Sequence, residues 1–265
     1  MVESNTPKSA DLTPRKETKH FLNMHKRLEN AILDYEMIKP GDHVIVGLSG
    51  GKDSSMLLKL LARKKIATTN DFKMSAVYVK NGYEGDEEKI EYLRGYSENL
   101  GVRFYNIEML KQDIYKKREK KNACYLCSRN RRLAIFNHAD SIGANVVAFG
   151  HHKDDFVQTL MLNMFYGGTI SAMKPNNPFF DGKYRIIRPM VYIDEQMIVT
   201  EAERIGLQTF SSGCPFQDIS ERLFVRKILE TVYKHYPMSK KNIYKAMYSL
   251  NPEYLLKTPS KKSMG

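Results

Sequence analysis

At 265 residues, with 42% apolar side chains, 16 glycines and 10 prolines, the chain is long enough for one large domain, or one domain with a small appendage, around an ordinary globular core. No run approaches the roughly 18 apolar residues of a spanning helix, and MVESNTPKSADLTPRKE lacks a signal peptide's apolar segment, so a soluble, cytoplasmic protein without membrane attachment is expected. The 42 Lys and Arg against 30 Asp and Glu, a formal net charge of +12, favour an extended polyanion as partner, nucleic acid before membrane; three cysteines without a secretion signal argue against a disulfide framework and toward thiol or metal chemistry.

Residues 1–14 are polar and are expected to be disordered. Across 15–42, Phe21, Met24, Leu28, Ile32 and Tyr35 recur at helical spacing and lead to the stop Lys39-Pro40-Gly41-Asp42. This helix is expected to pack on the main domain or on a second copy of the chain, which leaves a homodimer open. Apolar runs then predict strands at 43–48, 73–79, 102–107 and 145–150, alternating with helices near 53–65, 86–100, 128–142 and 154–166. That alternation implies an α/β fold, a parallel twisted sheet with helices on both faces, with ligands at the carboxyl ends of the strands where chain direction reverses. A loop is expected over 167–182, then a strand at 185–188, a helix over 194–205, the segment SSGCPFQ and a helix from Ser220. The main domain is placed at 43–236, with a C-terminal helix and a basic tail in 237–265.

The segment VIVGLSGGKDSSMLLKLL opens as a strand, breaks at glycine and serine, and resumes as a helix. Neither the Walker spacing nor the dinucleotide fingerprint fits it. Even so, Gly50 and Gly51 let backbone N–H groups converge, Ser49 and Ser54 add hydroxyls, and the following helix presents its positive end, so an anion is expected there. Asp53 opposes a bare phosphate. A divalent metal bridging carboxylate and phosphate removes the conflict and suggests a nucleoside triphosphate with Mg²⁺. A capped helix N-terminus beside a glycine turn is the plainer explanation.

Ser-Gly-Gly-Lys-Asp-Ser directly after a first strand resembles the PP-loop of the ATP pyrophosphatase superfamily, whose members cleave ATP between the α and β phosphates and adenylate a substrate oxygen. That resemblance implies an adenine nucleotide alpha hydrolase-like domain, with ATP contacts at Leu48, Ser49, Gly50, Gly51, Lys52, Asp53, Ser54 and Gly150, and with the end of the second strand, near Tyr78 and Val79, meeting the base.

The fourth strand ends in Gly150-His151-His152-Lys153-Asp154-Asp155 and runs into FVQTLMLNMFYGG. Two consecutive carboxylates at a helix N-terminus and at the carboxyl edge of the sheet face the same crevice, to hold Mg²⁺ or assist proton transfer; capping by Asp154 beside two solvated histidines is the alternative. Cys124 and Cys127 in NACYLCSRNRR lie three apart, and Cys214 stands alone in SGCPF. A redox pair, two buried small residues, a zinc site completed by His138, His151 or His152, and a three-thiolate [4Fe-4S] cluster with one open iron all fit these spacings.

GHHKDD with its following helix resembles the PP-loop branch that modifies tRNA bases. The CxxC before an arginine-rich helix, the single later cysteine and IIRPMVY at 186–192 resemble the tRNA 2-thiocytidine synthetase (TtcA) family, from about His20 to Tyr236. The resemblance implies an ATP-dependent tRNA sulfurtransferase that adenylates a cytidine C2 oxygen and replaces it with sulfur carried on a [4Fe-4S] cluster held by Cys124, Cys127 and Cys214. Asp53 with Asp154 or Asp155 is then expected to carry Mg²⁺, Lys52 to offset phosphate charge and Arg131 to orient the base. The sulfur donor is a cysteine desulfurase or free sulfide. KQDIYKKREKK at 111–121, with Arg129, Arg131 and Arg132 after the CxxC, is read as a rim for the tRNA backbone, and Tyr125 and Tyr166 as stacking or core residues. A 2-thiouridine or lysidine synthetase, and a non-enzymatic zinc-containing RNA-binding protein, are the competing readings.

Overall fold

The structure, a computed structural model, describes residues 17–67, 71–80, 86–109, 120–211 and 221–256, with backbone alone at 66–67 and 120–125. The expected disorder at 1–14, the tail beyond 256, most of the basic run at 111–121 and the Cys214 segment lie outside the described residues.

Thr18 opens the first helix, α1 (Lys19–Asp34), its hydroxyl accepting the Phe21 N–H at 3.1 Å. The apolar stripe Phe21, Met24, Leu28 and Ile32 is buried as its spacing predicts. The chain then alternates through β1 (His43–Leu48), α2 (Lys52–Ala67), β2 (Lys73–Lys80), α3 (Asp86–Asn99), β3 (Arg103–Glu108), α4 (Lys120–Ser141), β4 (Val146–Ala148) and α5 (Lys153–Gly167). Next come β5 (Asn176–Phe179), β6 (Tyr184–Ile187), α6 (Glu195–Arg204), α7 (Glu221–His235) and α8 (Ser239–Ala246).

Two elements depart from the sequence reading. The predicted loop at 167–182 contains β5, which pairs antiparallel with β6 through a turn in which Phe180, Asp181 and Gly182 all take positive φ. Asn176-Asn177-Pro178 has no β-branched residue, and proline is tolerated because β5 is an edge strand. The helix predicted at 128–142 begins at Lys120, so the cysteine pair stands inside α4. Lys120, Lys121 and Ala123 are good helix formers and extend it backward.

The sheet has the order β3-β2-β1-β4-β6-β5, parallel except for β5. Its helices cover both faces, and alternation along each strand assigns them. Ile45, Val77, Val79, Val147 and Ile186 join Ala134, Ile135, Phe136 and Ala139 of α4 in one core. The alternate residues Val44, Val46, Ala76 and Tyr78 face the other way, toward α2 and α3, which Tyr96 ties together by donating from its hydroxyl to the Ser55 carbonyl at 3.1 Å. From β1 the chain steps outward through β2 to β3, then returns to place β4 on the other side of β1. The carboxyl ends of β1 and β4 therefore flank the point where winding reverses, the usual ligand crevice of such sheets.

At the opposite edge the buried Asp42 carboxylate accepts from the Lys39 N–H and the Asn145 amide, both at 2.7 Å, and pairs with Arg185. This one side chain ties the lead-ins of β1 and β4 to the start of β6, and so helps set the register of the strands that carry the crevice.

The chain forms two compact units: residues 1–155 with 174–220, which include the sheet, and residues 156–173 with 221–265. In the second, Val157, Val225 and Leu229 pack with Met161, Leu162, Tyr233, Ile243, Tyr244 and Met247. Tyr166, read as a stacking or core residue, is 54% exposed and donates its hydroxyl to Glu221 within that unit.

Candidate active site

Leu48 ends β1, and the chain turns through Ser49-Gly50-Gly51 into α2. Gly50 sits at φ +82°, a left-handed conformation that favours glycine, and its carbonyl accepts the Phe210 N–H at 2.9 Å. The two hydroxyls expected to face an anion hold the loop itself. Ser54 Oγ accepts the Ser49 N–H and donates to the Gly51 carbonyl, both at 3.1 Å, while Ser49 Oγ accepts the Gly51 N–H at 3.3 Å. Ser54 is thus a brace that sets the turn before any ligand arrives.

Gly150, one residue past the Phe149 that follows β4, lies against the start of α2. A Cβ there would stand 2.8 Å from Asp53 C and Ser54 N, closer than real contacts allow. Only glycine lets the second motif approach the first this closely, and this brings GHHKDD to the loop.

Asp155 Oδ2 accepts the His152 N–H at 2.9 Å, capping α5, and Asp154 Oδ2 accepts the Glu195 N–H at 2.8 Å, anchoring α6. Read from sequence as a solvated residue or zinc ligand, His152 is buried between three carboxylates. Its Nε2 is 3.4 Å from Asp155 Oδ2 and 3.9 Å from Asp53 Oδ1, and its Nδ1 is 3.6 Å from Asp154 Oδ2. Burial pulls the imidazole pKa down, but Asp154, Asp155 and Asp53 outweigh it and hold it above the usual value. Burial lifts the Asp53 carboxyl above its ordinary range against the pull of His152 and Lys52.

Lys52 Nζ lies 3.0 Å from Glu195 Oε1 and 3.2 Å from Asp53 Oδ1. Burial opposes its charge, yet these two carboxylates raise its pKa. Sequence reasoning missed Glu195, which is distant in the chain and reaches the loop only because Asp154 anchors the first turn of α6. Four carboxylates, Asp53, Asp154, Asp155 and Glu195, thus surround the Lys52 ammonium and the His152 ring, whose pKa the three aspartates raise. A crevice with that balance repels a bare polyphosphate, and a cation would offset the repulsion. Asp53 Oδ1 suits that cation, being buried with no hydrogen bond among the described residues, although the Lys52 ammonium stands 3.2 Å away. Among the described residues no three His, Cys, Asp or Glu side chains are grouped as ligands of one metal. Asp154 and Asp155 instead brace α6 and His152.

Val79 is buried at the end of β2, and Tyr78 donates to Asp86 at 2.6 Å beside the buried Lys89, whose Cδ would meet a Gly50 Cβ at 3.0 Å. Arg131 of α4 is half-buried and close enough to Tyr78 to act on its hydroxyl. Cys127, also on α4, is a free, half-buried thiol. The Cys124 and Tyr125 side chains, and Cys214, lie outside the described residues. His138 cannot complete a zinc site with Cys127: eleven residues of helix separate their backbones by about 16 Å. Its ring packs edge-on against Tyr105.

A PP-loop domain family matches residues 20–231. A tRNA-cytidine(32) 2-sulfurtransferase of Pelobacter propionicus is 34% identical over 261 residues, covering 95% of this chain and 96% of that protein. The enzyme of the same name from Cellvibrio japonicus is 37% identical over 251 residues, covering 92% and 82%. The chain belongs to the PP-loop family of tRNA-cytidine 2-sulfurtransferases. A solved member of the wider fold, the U34-tRNA thiolase NcsA from Methanococcus maripaludis with its [4Fe-4S] cluster, superposes with a TM-score of 0.73 at 24% identity, covering 86% of this chain and 78% of that one. This superposition bears out the Rossmann-like α/β fold that the PP-loop resemblance implied.

The raised imidazole gives this 2-sulfurtransferase family member a pH signature. A group whose folded pKa exceeds its unfolded value stabilises fully below the unfolded value and loses that contribution as pH rises through the folded one. In urea titrations, His152→Asn is therefore expected to be less stable than the parent below about pH 6.5, with the gap closing as pH rises. A gap that widens with pH would contradict the imidazolium.

Proposed function

We propose that the crevice between the carboxyl ends of β1 and β4 binds ATP with its phosphates along Ser49–Ser54, and that the protein uses it to replace the C2 oxygen of a tRNA cytidine with sulfur. The observation that carries this is 34–37% identity to tRNA-cytidine(32) 2-sulfurtransferases along nearly the whole chain. The target is cytidine 32, as in those relatives' name. Neither the uridine nor the lysidine alternative has comparable support, since the U34 thiolase shares only the fold.

A carbonyl oxygen is a poor leaving group, and phosphorylation makes it a good one. The cytidine O2 attacks the α-phosphorus, pyrophosphate departs, and a sulfur nucleophile adds at C2 before AMP leaves with the original oxygen. Lys52 bears the charge that develops on the phosphates, which requires it to turn from Glu195 toward them. Asp53, its Oδ1 released as Lys52 turns away, would hold Mg²⁺, while His152, Asp154 and Asp155 fix its position and that of α6. Arg131 reaches from α4 to orient the base. Cys127, with Cys124 and Cys214, would hold a [4Fe-4S] cluster, whose chemistry would be to deliver sulfide to the activated base. The sulfur comes from a cysteine desulfurase or free sulfide, and the basic residues on α4 guide the tRNA backbone.

Anaerobically purified protein should be brown and should restore 2-thiocytidine, read by nucleoside mass spectrometry, to tRNA from cells lacking it. Each cysteine-to-serine variant should lose both properties. Colourless protein with stoichiometric zinc, or a different thionucleoside restored, would overturn the reading. Glu195→Gln should bind ATP about fivefold more tightly, the equivalent of the ~1 kcal/mol of a partly exposed ion pair that no longer competes for Lys52. Weaker binding in equilibrium dialysis would show that Glu195 positions Lys52 rather than competes with phosphate for it.

A further inference from the structure

Arg188 follows the last residue of β6 and stands beside the end of β4: the Phe149 N–H donates to the Ile187 carbonyl at 3.0 Å, and His152 bridges Met190 just beyond. It is therefore on the catalytic edge of the sheet, yet none of the roles assigned above uses it. Alternation along the strand puts it on the face of Ile186, which α4 covers. It is only 9% exposed. Its Nη1 donates to the Lys174 carbonyl at 2.6 Å, whereas Nε is buried with no hydrogen-bond partner.

The charged groups acting on Arg188 are Arg132 of α4 and Asp155 of α5. Burial, and then the Arg132 guanidinium, push its pKa down to about 10, and the pull of Asp155 is the weaker influence. Arg132 is itself only partly exposed and spends its Nε on the Ser128 carbonyl of its own helix at 3.3 Å. A buried guanidinium normally has an anion to offset its desolvation, and here the stronger charged influence is a second cation. Two guanidiniums with an unused donor present the planar fork that suits a phosphate oxyanion.

The geometry points to a phosphate site at which Arg188 and Arg132 together take one phosphodiester of the bound tRNA, an inference that rests on the RNA-modifying function proposed above. The RNA is favoured over the nucleotide because strand alternation puts Arg188 on the face covered by α4, the helix that carries Arg132, Cys127 and the basic residues proposed to guide the tRNA backbone. A phosphate fixed there would set the target nucleotide against the helix that carries the cysteine pair.

The test uses the full chain and an unmodified tRNA transcript without ATP, measuring affinity by fluorescence anisotropy from about 50 to about 200 mM salt. Arg188→Gln and Arg132→Gln should each flatten the plot of log affinity against log salt by about 0.7, one single-strand phosphate contact. The double variant should flatten it no further, since both arginines serve one phosphate. Arg188→Lys should keep most of the slope while binding more weakly. ATP affinity, by equilibrium dialysis, should stay at the parent value in all of them. If Arg188→Gln fails to fold, Arg132→Gln, partly exposed and bonded within its own helix, reads the same slope. A parent slope in the glutamine variants, or a loss confined to ATP, overturns the assignment. Parent protein that binds tRNA but forms no 2-thiocytidine overturns the proposed reaction alone, and parent protein that binds no tRNA overturns both.

Discussion

The site depends on one close contact, that of Gly150 with the peptide joining Asp53 and Ser54. It exists because β4 returns to lie beside β1, bringing the ends of two strands distant in sequence to one crevice. A side chain on Gly150 would push the second motif away and separate His152 from Asp53. The brace from Ser54 to the Ser49 N–H and Gly51 carbonyl does the same work within the loop, holding the turn in shape without a ligand. Such preorganisation matters for phosphate chemistry, where little of the barrier is covalent and most of it is positioning and charge.

Charge explains the rest of the arrangement. Carboxylates drawn this close together are costly unless compensated, and the His152 ring among Asp53, Asp154 and Asp155, its pKa raised by them, offsets their charge from within when it is protonated. Lys52 is held by Glu195 and Asp53, so the loop keeps its cation in place until phosphates compete for it. Under the proposed function, the surplus of carboxylates would favour a metal–triphosphate complex over a bare triphosphate.

Much of this was legible in the sequence because it was local. The strand at 43–48 matches its prediction, and α2, α3 and α5 match within about two residues, since apolar periodicity and glycine breaks act over short distances. The edge strand β5 was not legible: its pairing rests on β6 and on a positive-φ turn, while its own residues read as loop. The residues that bind the site together were hidden for a related reason. Glu195 looks like an ordinary acidic first turn of a helix, and its meaning comes only from Asp154 and Lys52, far away in sequence. Arg188 sat within a recognised segment, IIRPMVY, and nothing local showed that it would be buried with its Nε left without a partner among the described residues. His152 entered the sequence reading only as a solvated residue in the alternative to the carboxylate site, or as a zinc ligand, because no sequence pattern reveals burial among three acids.

The central claim is that this crevice directs attack at the α-phosphorus of ATP, and the products of turnover report on it most directly. Phosphorus NMR of protein, ATP, sulfide and unmodified tRNA should show AMP and pyrophosphate accumulating in step with 2-thiocytidine. Accumulation of ADP and inorganic phosphate instead would contradict the claim.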